Sequence, residues 1–190
     1  VTLHQWLEAA ATVLGIAMVV CNIRVIHWGW PLAFASSVLS FFVLWQGKLY
    51  ANASLQVFFA VMALWGWFQW LRGRREDGSA LQVAAMGRRG LGAMVLAWAL
   101  LWPAVAWLLA HHTDSAVPWW DAFPTAGSIV GTVVLARKFI ENWLVWIVVN
   151  MVSVALFAHQ GLWWFVALYA VFTVMAALGW RAWRQRLGTP

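Results

Sequence analysis

Charge is the scarcest ingredient of this 190-residue sequence: 9% of its residues are Asp, Glu, Lys or Arg, against about a quarter in an ordinary soluble domain. With 64% apolar residues and a mean hydropathy of +0.77, that shortage excludes a soluble globular domain and a disordered chain alike. Cysteine is nearly absent. Cys21 alone forms no intrachain disulfide, so a disulfide-stapled module is excluded and a packing role is expected for it. The opening residues lack a basic stretch followed by a short apolar core and a small-residue cleavage site, so the first span is expected to serve as its own insertion signal.

Signatures of catalysis are missing too. There is no His-Glu-x-x-His, and Gly127-Ser128-Ile129-Val130-Gly131 is a small-residue packing face rather than a Gly-x-Ser-x-Gly turn. His111 and His112 are adjacent instead of four apart on one helical face, so no metal site is expected. Neither a catalytic residue nor a cofactor is expected. The net charge of +6 does not indicate nucleic acid, because the basic residues fall in gaps between apolar runs rather than on one solvated face.

What remains is an all-α integral membrane protein. Apolar runs near 5–23, 28–46, 49–71, 90–110, 119–136, 142–158 and 162–181 predict seven spans. They lack the alternation of barrel strands, so they are expected to be helices. Alternate loops divide the basic residues unequally. Arg24, Arg72, Arg74, Arg75, Arg88, Arg89, Arg137, Lys138, Arg181, Arg184 and Arg186 fall on one side, and Lys48 alone on the other. That 11-to-1 split requires an odd number of spans and predicts an outside N-terminus and a cytoplasmic C-terminus.

Shifting the sequence by 113 positions aligns Leu49–Trp70 with Leu162–Trp183, and nine of the 22 pairs are identical, among them Gly66/Gly179, Trp67/Trp180 and Trp70/Trp183. Biased composition alone gives roughly two, so this is an internal repeat. The same shift pairs Thr12 with Thr125, Arg24 with Arg137, Trp30 with Trp143 and Ser40 with Ser153. Two three-helix units in the same orientation need one helix between them, which predicts a 3+1+3 plan. Residues 1–71 form the first repeat, 72–110 a cytoplasmic linker with the connecting helix, and 111–190 the second repeat with a basic tail. Parallel repeats are a transporter arrangement, as in the SWEET sugar transporters, with substrate near the midplane between the halves. Channels are also built from repeats.

Polar residues within spans are costly unless they meet protein or line a cavity. Gln56 and its repeat partner Tyr169, and Asn150 with its partner Ser37, form two such pairs. Asn52 shares a helical face with Gln56, and Thr125 and Ser128 could add hydroxyls. The alternative for each is an interhelical hydrogen bond that serves packing only. Most of the 18 Trp fit interfacial belts, but Trp146, one turn before Asn150, offers an aromatic wall suited to a flat or cationic ring. No acid lies at the middle of a span: Glu8, Asp114 and Asp121 fall toward the outside, and Glu76, Asp77 and Glu141 toward the cytoplasm. A carboxylate relay for proton coupling is therefore not expected, and the pattern favours uncoupled movement.

The run Arg137-Lys138-Phe139-Ile140-Glu141-Asn142-Trp143-Leu144-Val145-Trp146-Ile147-Val148-Val149-Asn150-Met151-Val152-Ser153 resembles the RKxxENWxxWIxxNxxS signature of the PnuC-type vitamin transporter family. Leu49-Tyr50 with Leu55-Gln56, and the Gly66-Trp67 and Gly179-Trp180 span ends, are similar to the same family. The resemblance implies a seven-helix, SWEET-like bacterial inner-membrane protein, assembled as a homotrimer. It also implies that nicotinamide riboside enters by facilitated diffusion and is trapped by a cytosolic kinase. Carried over residue by residue, it implies binding by Gln56, Asn150, Tyr169, Trp146, Asn52 and Thr125. It implies an inner gate at Arg137, Lys138, Glu141 and Asn142, for which a fixed cap with a positive-inside anchor is the alternative. Thiamin, riboflavin or a sugar on the same scaffold, and a membrane enzyme acting on a nucleoside, remain open.

Overall fold

A computed structural model describes residues 3–46, 50–75, 77–113 and 117–187, leaving the side chains of residues 3–5, 8 and 50–52 outside the description. Among the described residues seven helices follow one another: α1 (Leu3–Ile23), α2 (Gly29–Gln46), α3 (Tyr50–Arg72), α4 (Arg88–His112), α5 (Pro118–Ala136), α6 (Asn142–His159) and α7 (Trp163–Leu187). Each apolar run becomes a helix because a backbone in lipid must satisfy its own hydrogen bonds. α7 continues six residues past the expected end at 181. The sequence beyond the apolar run is rich in good helix formers, and Arg184 and Arg186 in the last turn favour the negative end of the helix dipole.

Among the described residues, five segments are long and apolar enough to cross a membrane: Gly29–Gln46, Ala53–Arg72, Arg88–His112, Asn142–His159 and Trp163–Leu187. The described apolar part of α1, Ala9–Ile23, is shorter. α5 is diluted by Pro118, Asp121, Pro124, Thr125, Ser128 and Thr132. The side-chain distribution is that of a protein dissolved in lipid. Buried positions are held by small residues such as Ala53, Ala63, Ala122, Ala126, Ala136 and Ala176, while Val95, Leu100, Met151 and Val174 are 58–64% exposed. Small residues let helices approach closely where the hydrophobic effect cannot drive them together.

The chain divides into two compact units, Val1–Leu81 and Gln82–Pro190, and α4 belongs to the second. In the first, α2 packs against α1 and α3; in the second, α6 packs against α5 and α7, and α4 against α5. The two units use the same contacts. Trp30 on α2 lies against Gly66 of α3 and meets Trp70 edge-on at 5.8 Å, while Trp143 on α6 lies against Gly179 of α7 and meets Trp183 edge-on at 5.5 Å. A β-carbon on either glycine would collide with the indole ring, so the missing side chain is the notch into which the tryptophan fits.

Helix ends repeat as well. α1 closes through Val25 N–H to Asn22 O (3.1 Å) and Ile26 N–H to Cys21 O (2.8 Å), and α5 through Lys138 N–H to Leu135 O (2.9 Å) and Phe139 N–H to Val134 O (3.1 Å). This paired closure satisfies terminal carbonyls and needs one residue of left-handed backbone. α6 ends the same way at Gly161, where a positive φ of 73° carries no steric cost. α4 is tied to α5 by two indole N–H groups one turn apart. Trp98 donates to Phe123 O (3.1 Å) and Trp102 to Trp119 O (2.7 Å).

Candidate functional site

In the first unit, Gln56 is the seventh residue of α3 and half-buried. It lines a cleft of about 220 Å³ between α2 and α3 together with Ser37, Phe41 and Ala60. Ser37, the repeat partner of Asn150, thus shares a cleft with Gln56, and Phe41 adds a ring that the sequence reading did not single out. The side chain of Asn52 lies outside the described residues.

In the second unit, Asn150 is buried, 6% exposed, at the middle of α6. Trp146 stands one helical turn before it, its ring packed over Gly131, where an added β-carbon would lie 3.2 Å away. Phe157, seven residues beyond Asn150, continues the same face of α6. The Tyr169 ring of α7 packs on Phe157 at 5.2 Å. The face therefore runs from an indole through an amide to an aromatic pair. Phe157 was legible only as a residue spaced i, i+7 from Asn150.

Hydrogen bonding separates these polar residues into two groups. Thr125 donates to Asp121 O (2.8 Å), Ser128 to Pro124 O (2.8 Å), Thr132 to Ser128 O (2.7 Å) and Ser153 to Val149 O (2.9 Å). Their protons are committed to their own helices. Gln56, Asn150 and the Tyr169 hydroxyl have no hydrogen-bond partner among the described residues. An interhelical bond made for packing would have a partner, as Ser36 does on Ala11 O at 3.0 Å. Two amides, each able to donate and accept, and one hydroxyl are left available to a ligand.

The residues expected at the inner gate lie on the turn between α5 and α6. Arg137 ends α5 and Lys138 holds the left-handed position. Glu141 is 7% exposed, and its Oε1 accepts the Met86 N–H at 3.0 Å. The main chain joins the same two segments: Ala84 N–H donates to Lys138 O (3.1 Å) and Ile140 N–H to Ala84 O (2.9 Å). Asn142, fully buried, donates to Phe139 O at 2.6 Å. Glu141 thus ties the linker to the turn, a contact spanning 55 residues that no local pattern in the sequence announces.

The model of the nicotinamide mononucleotide transporter family matches residues 5–185. The chain belongs to that family. Among its relatives, the riboflavin/roseoflavin transporter RibM of Streptomyces davaonensis is 32% identical over 185 residues, covering 95% of this chain and 85% of RibM. The nicotinamide riboside transporter PnuC of Escherichia coli is 27% identical over 204 aligned positions, covering 94% of this chain and 85% of that protein. The crystal structure of the vitamin B3 transporter PnuC has the same fold, with a TM-score of 0.76 at 24% identity over 95% of this chain and 81% of that one. The chain is thus a multi-pass bacterial membrane transporter of a small molecule.

Proposed function

We propose that this family member carries nicotinamide riboside across the bacterial inner membrane by uniport, and that cytosolic phosphorylation traps the cargo. The reading rests on the half-buried Gln56 and the buried Asn150, whose amides have no hydrogen-bond partner among the described residues. Such amides complement a carboxamide and ribose hydroxyls. Trp146, Phe157 and Tyr169 supply π-faces for a pyridinium, which then needs no carboxylate beside it. Asn52 and Thr125 are secondary ligands, Thr125 through its remaining lone pairs. Seven spans in a 3+1+3 plan, with the N-terminus outside and a homotrimeric assembly, complete the proposal. The matching Trp–Gly notches and helix closures of the two units support the repeat.

Riboflavin is the second reading, favoured by the higher identity to RibM than to Escherichia coli PnuC. It too presents a flat ring with amide-like edges and a chain of hydroxyls. Uptake of labelled cargo into proteoliposomes tests both. Nicotinamide riboside is expected to accumulate to equilibrium, chemically intact, with no imposed proton or sodium gradient. Strict dependence on a gradient would contradict uniport, and recovery of altered ligand would point to an enzyme.

A further inference from the structure

The second unit holds an apolar groove of about 370 Å³ between α4 and α5, formed by Gly90, Ala93, Ala97 and Leu101 on one side and Val130 and Val133 on the other. Glycine and alanines recess the α4 wall, so the groove follows the helix from Gly90 to Leu101, about 16 Å at the helical rise. That is the depth of one leaflet, half of a hydrocarbon core about 30 Å thick.

One end of the groove is cationic from both helices. Arg89 precedes Ala93 by one turn and Arg137 follows Val133 by one turn, so both stand beyond the groove at the end where α4 begins and α5 finishes. Their side chains have no hydrogen-bond or ion-pair partner among the described residues. No acidic residue occupies the first turn of α4, and the nearby Glu141 carboxylate is buried with its Oε1 accepting the Met86 N–H. An occupant that matches this surface has an apolar tail of leaflet length and an anionic head.

We propose that the α4–α5 groove binds an anionic phospholipid, with one acyl chain along Gly90–Leu101 and the phosphate between Arg89 and Arg137. A basic pocket between helices at the headgroup level is a recurrent way of holding such lipids. The groove lining includes none of the residues proposed to bind cargo, so the proposal stands whether the cargo is a riboside or a flavin.

The test is native mass spectrometry of the purified full chain with phosphatidylglycerol and phosphatidylcholine of identical acyl chains at equal concentration. Phosphatidylglycerol is expected to be retained in clear excess, and Arg89→Gln or Arg137→Gln is each expected to cut that excess about fivefold. Ala97→Phe, which fills the groove, is expected to lower retention of both lipids, while Arg72→Gln in the first unit leaves it unchanged. The thermal midpoint and gel-filtration profile of each purified variant serve as the check that it is folded. Equal retention of the two lipids would overturn the proposal, as would an excess that survives both arginine variants. Competition by glycerol 3-phosphate as effective as that by the whole lipid would also overturn it, because the groove would then contribute nothing.

Discussion

Val25 and Lys138 lie 113 positions apart and share the left-handed region of backbone space, at φ 61° and 55°. Each is the left-handed residue within the closure that ends its helix, α1 for Val25 and α5 for Lys138, and the hydrogen bonds correspond one for one. This position is usually glycine, because a β-carbon crowds the following carbonyl. A β-branched valine is the more strained of the two occupants. The closure is thus kept in both units despite unfavourable residues.

Relief of that crowding is measurable. Val25→Gly is expected to raise the thermal midpoint of the purified protein by about 1–3 °C, since the left-handed penalty of about 1–2 kcal/mol exceeds the extra chain entropy that glycine loses. Lys138→Gly is expected to do less, because Lys138 O and Ile140 N also bind Ala84. A fall in both midpoints would show that the side chains stabilise the turn by contacts of their own.

The Trp–Gly notches predict the opposite sign. Gly66→Ala and Gly179→Ala each add a methyl group against the buried rings of Trp30 and Trp143. Alanine gains about 1 kcal/mol of helix propensity over glycine, but overpacking costs about 1–3 kcal/mol, and these rings, each 3% exposed, have little room to shift. Lower thermal midpoints are expected in both variants, and Trp30→Phe combined with Gly66→Ala should recover part of the loss. Unchanged midpoints would mean that the rings shift freely and do not fix the bundles.

Much of this architecture was legible because lipid enforces it. The runs at 28–46 and 142–158 fall within one residue of the observed α2 and α6, as a backbone with no water to bond must close on itself wherever the sequence is apolar. The alignment of Trp30 with Trp143 and Gly66 with Gly179 was visible as identity, but its meaning as a ring in a notch was not, because contact across helices leaves no local trace. The free state of Gln56 and Asn150, against the back-bonded state of Thr125, could not be read at all. All three are polar residues in apolar runs, and only the position of the nearest carbonyl tells them apart. The docking of Met86 on Glu141 was hidden for the same reason, since any residue except proline offers the N–H that the carboxylate accepts.

That distinction sets the order of mutational effects on cargo binding. Gln56→Ala and Asn150→Ala are each expected to weaken affinity about tenfold or more, the loss of one or two ligand hydrogen bonds. Thr125→Val is expected to change it less than about threefold, since its proton already serves Asp121 O. Equilibrium binding to the three purified variants measures this. A larger effect at Thr125 than at either amide would reverse the assignment of the site.

The central claim is that the free amides and the aromatic face bind an intact vitamin nucleoside. Calorimetric titration of the purified protein with nicotinamide riboside tests it most directly, with riboflavin, thiamin and nicotinamide as comparisons and the ligand recovered for chemical analysis. Saturable binding of unmodified nicotinamide riboside, abolished or weakened about tenfold or more in Asn150→Ala, is the result predicted. Binding of riboflavin alone would keep the site and replace the cargo. Saturable riboside binding that is indifferent to both Gln56→Ala and Asn150→Ala would contradict the account.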